Sequence, residues 1–276
     1  MSTSQDTQPT LAGWGTDSPT LDVTDTAKIP FQRLVRVELR KMMDTRAGMW
    51  LIISMAVVTA LVMVIQLIVV LTQDLSVNYG DFIAGTTYSI GILLPILGIL
   101  SLTSEWGQRT AMVSFTLEPR RAHVIAAKLA CVVILAVASV LLALVFGAVA
   151  NVLFGAFGGT VAWGFGINQF LGFLALQILG VLTGFALAAL FLNSPAAIVG
   201  FFVYTWILPP LLGIGAALID WFAKVQPWID FSAAQLPLTD ASMGGQEWAH
   251  LVVSGGIWLV LPLVLGLMRV LRAEVK

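Results

Sequence analysis

Six long apolar runs, residues 47–71, 82–103, 124–154, 170–192, 195–219 and 250–268, constrain this chain more than any other feature. Within them the only Asp, Glu, Lys or Arg is Lys128. A helix needs about 20 residues to cross ~30 Å of hydrocarbon, so each run is long enough to span a membrane. Lipid offers the backbone no hydrogen-bond partners, and a helix satisfies its own. The expectation is an all-α, polytopic membrane protein with six transmembrane helices. The charged fraction of 11%, against roughly 25% in soluble domains, agrees with a surface that mostly faces lipid. The third run is too long for one upright crossing, so its first turns, with Lys128, are expected to project beyond the hydrocarbon as exposed helix.

Orientation follows from the cations. With the N-terminus inside, the inner segments are residues 1–46, the 104–128 stretch, the Asn193-Ser194 turn and the end from Arg269. They hold 6, 4, 0 and 3 Lys and Arg, which is 13 of the chain's 14. Only Lys224 falls outside. Both termini are therefore expected in the cytoplasm, with the chain a multi-pass protein of the cell membrane.

Residues 1–29 are polar, lack the apolar core of a signal peptide and read as a cytoplasmic tail without fixed structure. From Pro30 the sequence FQRLVRVELRKMMD gathers Phe31, Leu34, Val35, Leu39 and Met42 on one side of a helix and Arg33, Arg36 and Arg40 on the other. This predicts an amphipathic helix over 31–43 with its cations toward lipid headgroups. Glu38 falls on the apolar side, where an unpaired carboxylate is costly. It either snorkels or pairs with Lys41 one turn on, or it pairs with a cation of the 104–128 stretch and fixes the helix to it. At the opposite face, 155–168 is Gly-rich and reads as a flexible or re-entrant connection. In 220–249 the residues Trp221, Phe222, Val225, Trp228, Ile229 and Phe231 predict short interfacial helices between spans five and six. Pro209-Pro210 must kink or break the fifth run.

Several chemistries find no support. No G-x-x-x-x-G-K-[ST], H-E-x-x-H or G-x-S-x-G motif occurs, so neither a phosphate loop, a zinc peptidase site nor a nucleophile elbow is present. His123 and His250 are expected at opposite faces, too far apart to share a metal. Cys131, the single cysteine, lies in an apolar run as a small hydrophobe and excludes an internal disulfide. Nothing points to nucleic acid. Spans whose only charge is Lys128, near an inner end, argue against an ion-gradient relay. What the spans do offer is a set of hydroxyls, Thr86, Thr87, Tyr88, Ser89, Tyr204 and Thr205, together with Gln177. These serve either as interhelical hydrogen bonds or as the lining of a pathway.

The polar stretch 104–128, SEWGQRTAMVSFTLEPRRAHVIAAK, carries Arg109, Arg120, Arg121 and Lys128 against Glu105 and Glu118. A loop that only reverses the chain has no need of such residues. Thr103 or Ser104 is expected to cap a short helix over 105–115, with Glu105 near its positive end and Pro119 as its stop.

In these residues the chain resembles the membrane (permease) subunits of ABC transporters of the type-two, exporter-like superfamily. The likeness rests on Glu105-Trp106, Thr110, Leu117-x-Pro119-x-Arg121 and Lys128, and on Glu38-x-x-Lys41 in a helix similar to the family's elbow helix. It covers residues 31–276 and leaves the tail outside. It implies a domain over 30–276 with a cytoplasmic coupling loop at 104–123. In that loop Glu105, Trp106, Gln108, Arg109, Thr110, Pro119, Arg120 and Arg121 would meet separate ATPase subunits. It further implies a second permease copy as partner, and ATP with magnesium bound by the ATPase, this chain holding no cofactor and catalysing nothing itself. A non-transporting membrane scaffold or assembly factor is the competing expectation.

Overall fold

The computed structural model describes residues 29–73, 75–108, 120–240 and 242–272. Arg109, Thr110 and Pro119, and the tail over residues 1–28, lie outside the described residues. Every regular element described is helical, and six helices are long and apolar enough to cross a membrane.

The amphipathic helix α1 (Phe31–Asp44) starts after Pro30, whose missing N–H costs a first turn nothing. Thr45 turns extended and ends it. The Thr45 hydroxyl then accepts from the Gly48 amide at 3.2 Å and opens the first span, α2 (Arg46–Thr72). Gly48 is required at this joint, because a Cβ there would lie 1.8 Å from the Met42 carbonyl oxygen.

The second span, α3 (Tyr79–Gly107), begins with a reciprocal cap. Asn78 accepts from the Gly80 amide at 2.7 Å, and Asp81 accepts from the Asn78 amide at 2.8 Å. The third span, α4 (Arg121–Ala156), has 36 residues, and a helix of that length measures about 54 Å. The connection after it is tied down rather than loose. Its Ala162 carbonyl accepts from the Tyr79 amide at 2.8 Å and from Asn151 Nδ2 at 3.2 Å.

The fourth span, α5 (Ile167–Phe191), closes with Leu192 in the left-handed region, φ 52°. Asn193 then caps the fifth span through the Ala196 amide at 3.0 Å. That span is interrupted: α6 (Ser194–Phe202) passes through a π-helical turn, Val203–Ile207, into α7 (Leu208–Leu218). Pro209 and Pro210 cause the break, since neither donates a backbone hydrogen bond and their rings crowd the preceding turn. Two short helices follow, α8 (Asp220–Ile229) and α9 (Phe231–Thr239), as the aromatic pattern predicts. The sixth span is α10 (Gly245–Gly255), a second π-helical turn (Gly256–Val260) and α11 (Leu261–Arg272).

Helices α3 and α5 form the centre. Half of the most apolar window of each is buried, against 17% for α2 and 11% for the fifth span. They approach closely because small residues face the contact. A Cβ on Gly98 would stand 2.8 Å from a Val181 methyl, and one on Gly184 would stand 2.7 Å from the Pro95 carbonyl oxygen. At the far end Gly172 of α5 lets the end of α9 lie against the span.

A methyl at Gly172 would sit 1.8 Å from the Leu238 carbonyl oxygen, so Gly172→Ala must displace backbone. It is expected to cost about 1–3 kcal/mol, read as a lower thermal midpoint of the detergent-solubilised chain. Gly213→Ala, where a Cβ meets no atom within 4 Å, should leave the midpoint unchanged.

Candidate functional site

The stripe of apolar residues that seats α1 carries Glu38 inward with it, and Glu38 is buried. Two lysines reach it. Lys41 Nζ donates to Oε1 at 2.7 Å and Lys128 Nζ donates to Oε2 at 2.6 Å. Both lysines also meet Glu105 Oε1, each at 3.0 Å, and Lys128 donates to the Ser101 carbonyl at 3.1 Å. Two carboxylates and two ammonium groups thus close a neutral ring that joins α1, α3 and α4.

Both proposals for Glu38 are realised, since Lys41 lies one turn on and Lys128 belongs to the 104–128 stretch. The position of Lys128 differs from expectation. It is 4% exposed rather than open to water, because α1 and the end of α3 pack over the start of α4. An ammonium so placed loses several kcal/mol of hydration, and two carboxylates with a carbonyl make up that loss. Burial of Lys41 opposes its charge, but the hydrogen bond to Glu38 and the carboxylates of Glu105 and Glu38 outweigh it and raise its pKa. Its charge is therefore complete at neutral pH, and its stabilising share is lost only as pH climbs through that raised value.

The ring brackets the segment of interest. Glu105 lies two residues before the end of α3, and Trp106 packs against the core beside it. Gln108 follows the helix and is exposed, its amide donating to the Ser104 carbonyl at 3.0 Å. After residues 109–119 the chain returns at Arg120, exposed, and at Arg121, which donates to the Leu271 carbonyl at 3.2 Å. The expected cap at Thr103 or Ser104 is not formed. Both residues lie inside α3, which continues to Gly107, and the Thr103 hydroxyl donates to the Ile99 carbonyl instead. Ser194 donates to Thr103 Oγ1 at 2.7 Å and Arg269 donates to the Leu190 carbonyl at 2.5 Å, so this whole end of the bundle is cross-linked. A groove of about 830 Å³ runs along the ring between α1 and α3.

The span hydroxyls divide into two groups. Thr86 and Ser89 donate to the carbonyls of Ile83 and Thr86, and Ser89 also meets Thr59 of α2 at 3.0 Å. They serve helix packing. Thr87, Tyr88, Tyr204 and Thr205 instead line one cavity of about 790 Å³ near the other end of the bundle, between α3, α5, the fifth span and α9. Gln177 of α5, Ser232 and Gln235 join them. Sequence reasoning left Ser232 and Gln235 out, and nothing but the folding of α9 over α5 assembles them there. His123 and His250 are in separate helices, and His250 stacks edge-on against Trp228 with ring centroids 4.5 Å apart. No protein-family model matches the chain, and no curated protein sequence does.

The ring makes a testable demand. Lys128→Met leaves two carboxylates to share the half-exposed Lys41 and is expected to cost about 3–5 kcal/mol, with Glu38→Gln nearly as severe because it leaves two ammonium groups on Glu105 alone. The double variant Glu38→Gln/Lys128→Met leaves Lys41 and Glu105 as a balanced pair. It should therefore lose clearly less than the two single effects together, measured by thermal unfolding in detergent.

Proposed function

We propose that this chain is the permease subunit of an ATP-driven ABC transporter, acting as an exporter with a second permease copy and separate ATPase subunits. ATP and magnesium belong to those ATPase subunits. The supporting observation is the Glu38–Lys41–Glu105–Lys128 ring at both roots of the segment 109–119. A force applied to that segment enters α3 and α4 together and reaches α1 through the same charges. The elbow helix and the two spans then move as one body instead of bending separately, which is what a membrane unit driven from outside requires.

The orientation in this reading has both termini and the ring in the cytoplasm, with Lys224 outside, as the cation distribution favours. In a Cys131→Ser background, Lys224→Cys should react with a membrane-impermeant maleimide added to intact cells, and Arg36→Cys only after lysis. The reverse pattern would place the ring outside and end the ATPase reading.

Gentle solubilisation of the native complex should co-purify an ATPase with the untagged ratio of a fixed assembly. Glu105→Gln and Arg109→Ala are expected to reduce ATP hydrolysis by the reconstituted complex several-fold, and Pro119→Ala should insert normally yet lower transport-coupled hydrolysis. A chain that binds a partner with no dependence on nucleotide would instead support a scaffold.

A further inference from the structure

Buried hydroxyls in these spans are ordinarily satisfied by the chain itself. Thr86, Ser89, Ser101, Thr103, Ser139 and Ser254 each donate to a carbonyl of their own helix. The cavity between α3, α5, the fifth span and α9 breaks that habit. Among the described residues Gln177, 2% exposed, has no partner for its Nε2, and Thr205 Oγ1 is buried with none. The Tyr204 hydroxyl lies beside Ser232 and Gln235 but outside hydrogen-bonding geometry. The three residues that carry these groups, on two helices, all line one space of about 790 Å³, a volume suited to a small molecule, with each polar atom set just beneath its wall. Leaving such groups unmade is unfavourable, so the space is shaped for something that hydrogen-bonds.

The lining narrows the class of occupant. It contains no Lys or Arg, while Asp81 and Asp240 stand at the edge, which disfavours an anionic head. Gln177 Nε2 is a donor and needs an acceptor oxygen, which an alkylammonium head lacks. Phe165, Phe173 and Phe201 supply an apolar half. Tyr88 and Trp206 line the cavity yet are 72% and 53% exposed, so the opening lies on the flank of the spans rather than at their ends. We infer that the cavity binds an uncharged amphiphile with a hydroxylated head. Gln177, Tyr204 and Thr205 hold the head, and the chain leaves between Tyr88 and Trp206. That this molecule is transported cargo rests on the transporter reading above; that it binds does not.

The test uses the full chain, alone, in lipid nanodiscs, with a diazirine-bearing alkyl glucoside as probe. Alkyl phosphate and alkyltrimethylammonium probes of the same chain length serve for comparison. The glucoside should label residues 87–92 and 201–206 in preference to both charged probes. Gln177→Leu and Thr205→Val should each weaken saturable labelling about tenfold, the loss expected of one buried hydrogen bond. Thr86→Val, outside the cavity, should leave it unchanged. Gln177→Leu should melt no lower than the natural chain, since it removes an unpaired polar group, and that separates ligand binding from a structural role. Equal labelling by the phosphate probe, labelling indifferent to Gln177→Leu, or none at all (a merely hydrated vestibule) overturns the site. Stimulation of ATP hydrolysis by the glucoside in the assembled complex is read separately. Specific labelling without stimulation removes only the cargo role.

Discussion

An ammonium group buried among apolar helices must have carboxylates within reach, and the position of Lys128 therefore decides how α1, α3 and α4 meet. Each of the four charges in the ring is supplied by a different turn of helix, and Glu105 Oε1 is shared by both lysines. Sliding α1 by one helical turn, about 5.4 Å, would separate Glu38 from Lys128 and Lys41 from Glu105, and so break the ring into two smaller pairs. The ring is thus a register lock as much as a source of stability, and apolar packing alone would tolerate such a slip far better. It also accounts for the close joint at Gly48. A chain that must place Glu38 two turns above the mouth of the first span has no room for a longer hinge.

Much of this architecture was legible beforehand because lipid imposes so few solutions. Runs of sufficient length with one charge among them gave six spans, and the 3.6-residue period of 31–43 gave the amphipathic helix. The carboxylate of Glu38 on the wrong side of that helix and the lone Lys128 within an apolar run were two anomalies of opposite sign. Pairing them with each other was among the options the sequence left open. Deciding it needed the third dimension, since the two are 90 positions apart and no local pattern couples them.

The readings that failed did so for one reason. Lys128 as an exposed turn, and Thr103 or Ser104 as a cap, both assumed that a helix turns watery where its apolar run ends. The start of α4 is instead covered by α1 and α3, and the end of α3 by α4 and the first turns of α6, so helix and burial continue past the hydrophobic boundary. The division among the hydroxyls was partly available from helical geometry. At about 100° per residue, Thr86 and Ser89 fall on one side of α3, with Thr87 and Tyr88 on another. What periodicity could not supply was the identity of each side, which depends on α2 covering the first and α9 roofing the second.

The two ends of the bundle consequently differ in how firmly they are made. At the ring end, ion pairs, side-chain-to-carbonyl bonds and the Ser194–Thr103 hydroxyl pair tie five of the six spans and α1 to their neighbours. At the other end the fifth span forms one wall of the cavity with little holding it. No residue of α7 is buried, and its main packing is with the π-helical turn before it and α8 after it. The π-helical turns of the fifth and sixth spans meet through Tyr204 and Trp258, ring centroids 5.5 Å apart, and Trp258 Nε1 donates to the Ile229 carbonyl at 2.7 Å. A wall attached through widened helical turns and one aromatic contact can shift while breaking few interactions, whereas the ring end cannot. A displacement at the rigid end would therefore be expressed at the fifth span, which carries Tyr204 and Thr205 to the cavity wall.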